Sequence, residues 1–315
     1  MVSNSASGVR DRTDGIVTDP IQLGATMYVP VIHPSVNEIV SGTRYVGLKS
    51  VVLCLEDALA VKDVSKGLSL LEAMLSKQRP DRRVLTFVRP RSLEMAREIS
   101  GYKGINQIDG FVVPKIALES LEAWLEIADK ASLVLMATLE SAWVFDPSGI
   151  EAFIEKLDSL NTERLLALRV GGNDLLSCLG LRCARGRTVY EGPLSMLLSQ
   201  LMCRLGSKGY ALTAPVYDQI DDVDTLRREC RHDVDFGFVG KTAIHPSQIR
   251  IIQSCFAVSR EEFAAATEIL KLGASAVFKH DGAMAEPATH TEWARRILRR
   301  QQAHGFSDEY SSAHE

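Results

Sequence analysis

The 315-residue chain has no apolar run of the length a bilayer span needs, and its opening residues lack the basic start and apolar middle of a secretory leader. It has no strong charge of either sign, with a formal net charge of −4. These absences exclude a general nucleic-acid or anionic-membrane partner and a membrane-spanning helix. The basic cluster Arg295-Arg296 with Arg299-Arg300 falls at helical spacing and reads as a solvated helix face or interface edge. No CxxC pair occurs among Cys54, Cys178, Cys183, Cys203, Cys230 and Cys255, which argues against zinc and disulfides and for buried thiols in a reducing cytoplasm. No GxGxxG follows the first apolar run, so the commonest dinucleotide-binding fold loses its fingerprint. No repeat, low-complexity tract or Pro-rich linker divides the chain.

What is present is alternation. Eight short, nearly continuous apolar runs occupy 26–31, 50–55, 83–88, 110–113, 133–139, 165–170, 211–216 and 236–244. Such runs suit parallel strands covered on both faces. Helical patterns follow them at 35–41, 64–76, 92–100, 118–130, 149–160, 194–209, 222–232 and 247–255. Eight β-then-α units in this order predict an α/β fold, a (β/α)8 barrel, with a doubly wound open sheet as the competitor. Helices are predicted over 260–273 and 289–302, joined by a loop at 279–287. The expected organisation is a flexible leader (1–20), a barrel (21–257) and a C-terminal helical extension (258–315), frayed from Ala303 onward.

The ends of the runs carry the chemistry. The fifth closes at Glu140 and the sixth leads into Gly171-Gly172-Asn173-Asp174. Strand C-termini face the active site in such barrels, and neighbouring strands lie about 4.8 Å apart, so both carboxylates can reach one divalent ion. Gly171-Gly172 lets backbone and ligand approach closely. The alternative is that Asp174 caps a helix. Arg89, after the third run, can grip a carboxylate through two parallel hydrogen bonds, or form a rim salt bridge to Glu56 or Asp57. Glu56-Asp57 closes the second run, where it can bind metal-ligated water, orient Arg89 or cap a helix. Lys115, after the fourth run, serves an electrostatic role or a Schiff base. His245, after the eighth, is a base or a structural residue.

The ordered segments Leu55-Glu56-Asp57, Val88-Arg89, Val113-Pro114-Lys115, Leu139-Glu140-Ser141, Gly172-Asn173-Asp174-Leu175 and Lys241-Thr242-Ala243-Ile244-His245-Pro246-Ser247-Gln248-Ile249 resemble the HpcH/HpaI aldolase and citrate lyase beta-subunit family, from about Met27 to Leu298. The resemblance implies a TIM barrel, a Mg2+ ion, a homotrimer or hexamer, and cleavage or formation of a carbon–carbon bond beside a keto acid. By position it makes Glu140 and Asp174 the metal ligands and Arg89 the group that binds the oxo-acid carboxylate. Glu56, Asp57, Lys115 and Gly172 are expected around the substrate. The chain departs from the family at Cys54, where Asp is frequent, and at Arg91, which replaces an amide. It also departs at Gly24, where the family carries an arginine near substrate or coenzyme, and at Gly282 to Pro287, one residue shorter with Glu286 in place of Asp.

On this resemblance the leading expectation is a Mg2+-dependent lyase of a hydroxyacyl-CoA such as citryl-, malyl- or citramalyl-CoA, giving acetyl-CoA and an oxo acid. Glu286, from a neighbouring subunit, would be the catalytic acid that protonates the enolate. A CoA-independent aldolase of small hydroxy-keto acids, and a non-catalytic relative that keeps the metal site, are the alternatives.

Overall fold

A computed structural model of the chain describes residues 9–10, 17–77 and 84–307. Most of the expected leader, the expected first residue of the third strand and the tail from 308 lie outside the described residues.

Eight parallel strands form the sheet: β1 (Gly24–Pro30), β2 (Ser50–Cys54), β3 (Leu85–Arg89), β4 (Gly110–Val113), β5 (Val134–Leu139), β6 (Leu165–Val170), β7 (Leu212–Thr213) and β8 (Gly240–Ala243). Each pairs with its chain neighbour, and β8 returns to pair with β1 in the register Gly240↔Gly24 to Ala243↔Met27. The β7–β8 seam is held by one bridge, Ala214 to Lys241, with Ala214 N–H donating to Gly240 O at 2.8 Å and Val239 N–H to Leu212 O at 2.9 Å. The ring is therefore a TIM barrel, as the alternation of the sequence requires.

The helices that follow the strands are α1 (Val36–Val40), α2 (Val64–Leu75), α3 (Leu93–Ser100), α4 (Leu118–Lys130), α5 (Pro147–Asp158), α6 (Gly172–Cys178), α7 (Leu194–Leu205), α8 (Val223–Phe236) and α9 (Pro246–Phe256). Their starts are written locally. Ser92 accepts from Met95 N–H, Asp222 from Thr225 N–H, and Asp146 and His245 each stand ahead of a proline at the first helical position. Strands and helices bury a continuous shell of Val, Leu, Ile and Phe between them. A smaller apolar set that includes Val52, Phe87, Val112, Met136 and Leu166 fills the opposite strand faces, inside the barrel. Polar groups share those faces. Ser50 donates to Thr26 at 2.8 Å, and the buried Arg169 donates to Thr242 and stacks 5.3 Å over the Tyr28 ring.

Three expectations change here. The run 236–244 is not one strand: α8 continues to Phe236, Gly237 ends it at φ 92°, and the strand starts only at Gly240. The 279–287 segment is not an open loop but a hairpin, β9 (Phe278–His280) against β10 (Ala283–Ala285), turned by Asp281 and Gly282, both at positive φ. Asp174 belongs to the first turn of α6, a short helix the sequence reading did not separate.

The C-terminal part packs α10 (Arg260–Ile269), the hairpin and α11 (Pro287–His304) around a small core of its own that includes Ala266, Ile269, Ala285, Ala294 and Ile297. The basic cluster on α11 is only partly a solvated face: Arg295 is exposed, and the other three make contacts across the chain. Arg299 pairs doubly with Asp19 at 2.7 Å, Arg296 donates to the carbonyls of Gly237 and Phe238, and the buried Arg300 donates to those of Phe256 and Ala257. His304, whose burial lowers its pKa to about 4, meets Ile21 O at 2.8 Å. Ala303 and His304 are helical rather than frayed, and Val258 bridges Phe306 beyond them. Asp19 and Ile21 precede β1, and Gly237 and Phe238 precede β8. The helix therefore docks on the N-terminal end of the barrel, away from the strand ends that carry Arg89 and Glu140.

Candidate active site

Five of the eight β-to-α turns deliver charged side chains to the C-terminal rim. β3 ends on Arg89, β5 is followed at once by Glu140, the β2 turn carries Glu56-Asp57, the β4 turn carries Lys115, and α6 presents Asp174. They meet around Arg89. Its Nη2 lies 2.9 Å from Glu56 Oε2, 3.0 Å from Glu140 Oε1 and 3.6 Å from Asp57 Oδ2. Lys115 reaches the same group from the far side, with Nζ 3.5 Å from Asp174 Oδ1, 3.7 Å from Glu56 Oε1 and 4.0 Å from Asp57 Oδ2. Lys115 sits at φ 43°, a left-handed backbone that turns its N–H onto Glu140 Oε1 at 2.8 Å.

Burial and crowding set the electrostatics. Glu140 is 3 % exposed, and loss of hydration pushes its pKa up to about 7; Arg89 and the Lys115 N–H oppose the rise, while Asp174 and Glu56 add to it. Burial likewise raises Glu56. Burial works against the charge on Arg89, but the surrounding acids outweigh it and hold the guanidinium charged. Lys115 behaves in the same way, its desolvation outweighed by Asp57, Asp174, Glu56 and Glu140.

Two further arginines lie in the barrel, one behind the site and one in the interior. Arg91 does not replace the family's amide at the substrate. It clamps the Glu56-Asp57 turn from behind, donating to Leu55 O at 2.7 Å, to Glu56 O at 3.0 Å and to Leu59 O. Arg169 lies buried in the barrel interior, and no carboxylate pairs with it among the described residues. An arginine within the otherwise apolar strand Leu-Leu-Ala-Leu-Arg-Val was the cue available for it.

Packing by itself requires both glycines before Asp174. A Cβ on Gly171 would stand 2.4 Å from Glu140 Cβ and 2.5 Å from Glu140 Oε2, and one on Gly172 would stand 2.7 Å from Pro215 Cβ. Gly171 is thus required for Glu140 to lie where it does.

His245 caps α9, its Nδ1 2.7 Å from Ser247 Oγ. Cys54, buried at the end of β2, stands beside the cluster as the strand partner of Arg89. Gly24 starts β1 at the end opposite the rim, six residues or about 20 Å of strand before Pro30, so the missing arginine does not bear on the Arg89 cluster. Glu286 is not brought to the cluster within this chain. It precedes α11, takes a hydrogen bond from Thr289 Oγ1 at 3.1 Å, and donates its N–H to His290 Nδ1 at 3.1 Å.

The donor set suits a divalent, oxygen-seeking ion. Four carboxyl groups face two cations at the rim, an excess of two negative charges when all four are ionised. No group of three or more His, Cys, Asp or Glu forms a ready cage among the described residues. Two carboxylates completed by water and substrate oxygens is an arrangement Mg2+ accepts.

Known proteins share this arrangement of the chain. A family described as C–C bond lyase of the TIM-barrel fold matches residues 17–306. A (3S)-malyl-CoA thioesterase of Cereibacter sphaeroides is 27 % identical over 68 % of this chain and 70 % of its own length; for a second protein of that name, at 30 % identity, the match spans about half of its length, 50 %. A citrate lyase subunit beta-like protein of Mycobacterium tuberculosis is 24 % identical over 70 % of this chain and 77 % of its own. Among solved structures, a citrate lyase from Burkholderia xenovorans superposes with a TM-score of 0.71 at 18 % identity, over 90 % of this chain and 93 % of its own. The CitE protein of M. tuberculosis, in complex with magnesium, acetoacetate and coenzyme A, does so with 0.63 at 21 %, over 89 % and 98 %. These structural likenesses establish the barrel. The family match across nearly the whole chain shows that this protein is an enzyme and belongs to the C–C bond lyases of the TIM-barrel fold.

Proposed function

We propose that the chain is a Mg2+-dependent lyase that splits a hydroxyacyl-CoA thioester into an oxo acid and a shorter acyl-CoA. The observation that carries this reading is the buried Arg89. Its Nη2 is fully engaged by rim carboxylates, yet its Nε has no hydrogen-bond acceptor among the described residues. A buried, charged donor without an acceptor is costly, and a substrate carboxylate satisfies it. Glu140 and Asp174 are the residues that would hold the metal. Bound there, Mg2+ supplies Lewis-acid stabilisation of charge on the substrate's α-oxygen. Arg89 orients the carboxylate, Glu56 and Asp57 orient Arg89, and Lys115 adds positive charge at the rim. Gly172 keeps the α6 turn close to Pro215, which sets the height of Asp174.

The thioester enters this reading because the relatives are named for malyl-CoA and, in a shorter match, citramalyl-CoA, and because the CitE neighbour holds coenzyme A and an oxo acid. We further propose a cytoplasmic homo-oligomer, a trimer or hexamer, in which Glu286 protonates the expelled enolate in an adjacent subunit's site. Six free thiols fit a reducing compartment, and no helix of the described residues is long and apolar enough to cross a membrane. The placement of Glu286 away from its own chain's cluster is compatible with service to a neighbour.

The test is turnover of malyl-, citramalyl- and citryl-CoA with and without Mg2+, reading oxo acid and acyl-CoA separately. Equal release of both supports the lyase. Free coenzyme A with intact hydroxy acid marks thioester hydrolysis, the activity named in the thioesterase relatives. Turnover of the free hydroxy-keto acid alone marks a CoA-independent aldolase. Mixed oligomers of Glu140→Ala and Glu286→Gln subunits regain activity if Glu286 acts across the interface.

A further inference from the structure

One hydroxyl in the layer of side chains beneath the Arg89 cluster has no hydrogen-bond partner among the described residues, that of Tyr28. The register Tyr28↔Val52↔Phe87 places Tyr28 one pleat, about 7 Å, below the layer of Pro30, Cys54 and Arg89. Its side chain points into the barrel. Thr26, two residues earlier on the same face of β1, meets Ser50 in the interior, and Tyr28 packs against the interior set that includes Val52, Phe87 and Met136. Those three are fully buried, and so are Thr26 and Ser50 in the layer below. Tyr28 keeps part of its surface open to solvent. The open side of its layer is the C-terminal mouth, so the exposed part is the end that reaches toward the rim.

Two guanidinium groups bracket this phenol. Arg169 crosses the barrel from β6 and stands 5.3 Å over the ring, with Nη2 donating to Thr242 and Nη1 3.7 Å from the Met136 sulfur. Its register neighbours are the neutral Thr138 and Thr213, whose buried hydroxyls find no partner among the described residues. The ring face is what the buried cation has in place of a carboxylate. A cation held there fixes the ring and draws charge from it, which makes the hydroxyl a stronger donor. On the rim side, Arg89 has Tyr28, with Glu140 and Glu56, among the groups close enough to act on its charge. The Arg89 Nε also lacks an acceptor among the described residues. Two donors without acceptors thus stand in adjacent layers of one mouth.

We propose that Tyr28 is a substrate-binding residue whose hydroxyl donates to the same oxo-acid carboxylate that Arg89 receives, and that Arg169 positions it from beneath. The inference rests on the lyase reading of the rim and specifies how that site grips its ligand. The carboxylate is held from two layers, by a guanidinium above and a phenol below. A phenol on a ring pinned by a buried cation loses little freedom when it binds, whereas Arg89 alone is already shared among rim acids.

The test is calorimetric titration of the whole protein with pyruvate in the presence of Mg2+. Tyr28→Phe keeps the ring over Arg169 and removes only the hydroxyl. Pyruvate affinity should fall about tenfold, while the thermal midpoint and the affinity for Mg2+ alone stay at the parent values. In an Arg89→Lys background the same change should cost less, because the two donors hold one carboxylate. Arg169→Met should weaken pyruvate binding in the parent and cause no further loss in the Tyr28→Phe background, a pattern that general destabilisation does not produce. A parent that binds neither pyruvate nor oxaloacetate overturns the lyase reading of the rim, and this inference with it. A parent that binds pyruvate, with Tyr28→Phe binding it equally well, overturns the assignment of Tyr28 alone. Losses that simply add in the Tyr28→Phe, Arg89→Lys double variant overturn the shared carboxylate.

Discussion

Two charged clusters are buried in this barrel, and they are built to different standards. Behind β8, Lys241 is fully enclosed between Glu229, at 2.7 Å, and Asp233, at 2.9 Å. Their other oxygens take the Val189 N–H at 2.7 Å and the Tyr190 hydroxyl at 2.6 Å. Each acid has the ammonium at 2.9 Å or less, although Asp233 Oδ2 makes no hydrogen bond beyond that ion pair, and the network ties α8 to the segment before α7. At the rim, among the described residues, Arg89 leaves a buried Nε without acceptor, Asp174 pairs only with Lys115 at 3.5 Å, and burial pushes Glu140 up to about 7. A cluster closed off from solvent with a cation against each acid suits scaffold; one that opens to solvent at Lys115 and Asp57 and is short of cations, at strand C-termini, suits a ligand.

The largest effect that separates the two falls on the metal ligands. Glu140→Ala or Asp174→Ala should lower lyase turnover by more than about a thousandfold. The barrel should stay folded, because neither side chain supports the core. Calorimetric Mg2+ titration in the presence of oxaloacetate, with circular dichroism as the folding control, measures both. Unchanged Mg2+ affinity in both variants would leave Glu140 as an ion-pair partner of Arg89 and Asp174 as a first-turn acid of α6.

Lys241→Met should do the reverse. It leaves two buried carboxylates uncompensated and costs about 3–5 kcal/mol of stability. The fraction that remains folded should bind Mg2+ as the parent does. A denaturant midpoint close to that of the parent would show that the enclosed network is not scaffold at all.

This contrast explains what could be read from the chain. The barrel was legible because most strands covered on both faces left a β-branched or Leu-rich run, and because Glu140 and Asp174 stand where two such runs end. Phe236 misled because the end of α8 and the start of β8 are both apolar, with only Gly237 between them. The Asp281-Gly282 hairpin did carry a local signal, the pair favoured where two successive residues take positive φ. Nothing local marks Arg91, Arg296 or Arg300 as structural. Their acceptors are backbone carbonyls some 32 to 59 residues away, which only the folded chain brings near. The clustering of five rim groups around Arg89 was legible as positions at four other strand ends, but its lack of an acceptor at Nε was not.

A smaller effect tests that lack directly. Arg89→Lys keeps the charge but loses the planar fork, and should weaken oxo-acid binding by about 1.5–3 kcal/mol. Isothermal titration with oxaloacetate reads it. Affinity equal to the parent would make Arg89 an ion-pair partner alone, and would bring the rim closer to the Lys241 cluster in kind.

The mildest test is pH. Glu140 titrates near 7 without metal because burial, and then Asp174 and Glu56, penalise its charged form. Its folded pKa lies above the unfolded value of about 4.5, so in metal-free protein its contribution to stability declines as pH rises from about 4.5 to 7 and is constant above. Mg2+ requires the carboxylate and competes with the proton. Affinity should therefore weaken by about tenfold per pH unit below 7, on the order of 1.4 kcal/mol at pH 6, and level off above 7. In Glu140→Gln the residual affinity should lose that slope. Asp233, pushed up to about 6 by burial but enclosed with Lys241, should leave the Mg2+ titration untouched. A slope that survives in Glu140→Gln and vanishes in Asp233→Asn would couple the enclosed cluster to the open one and erase the distinction between them.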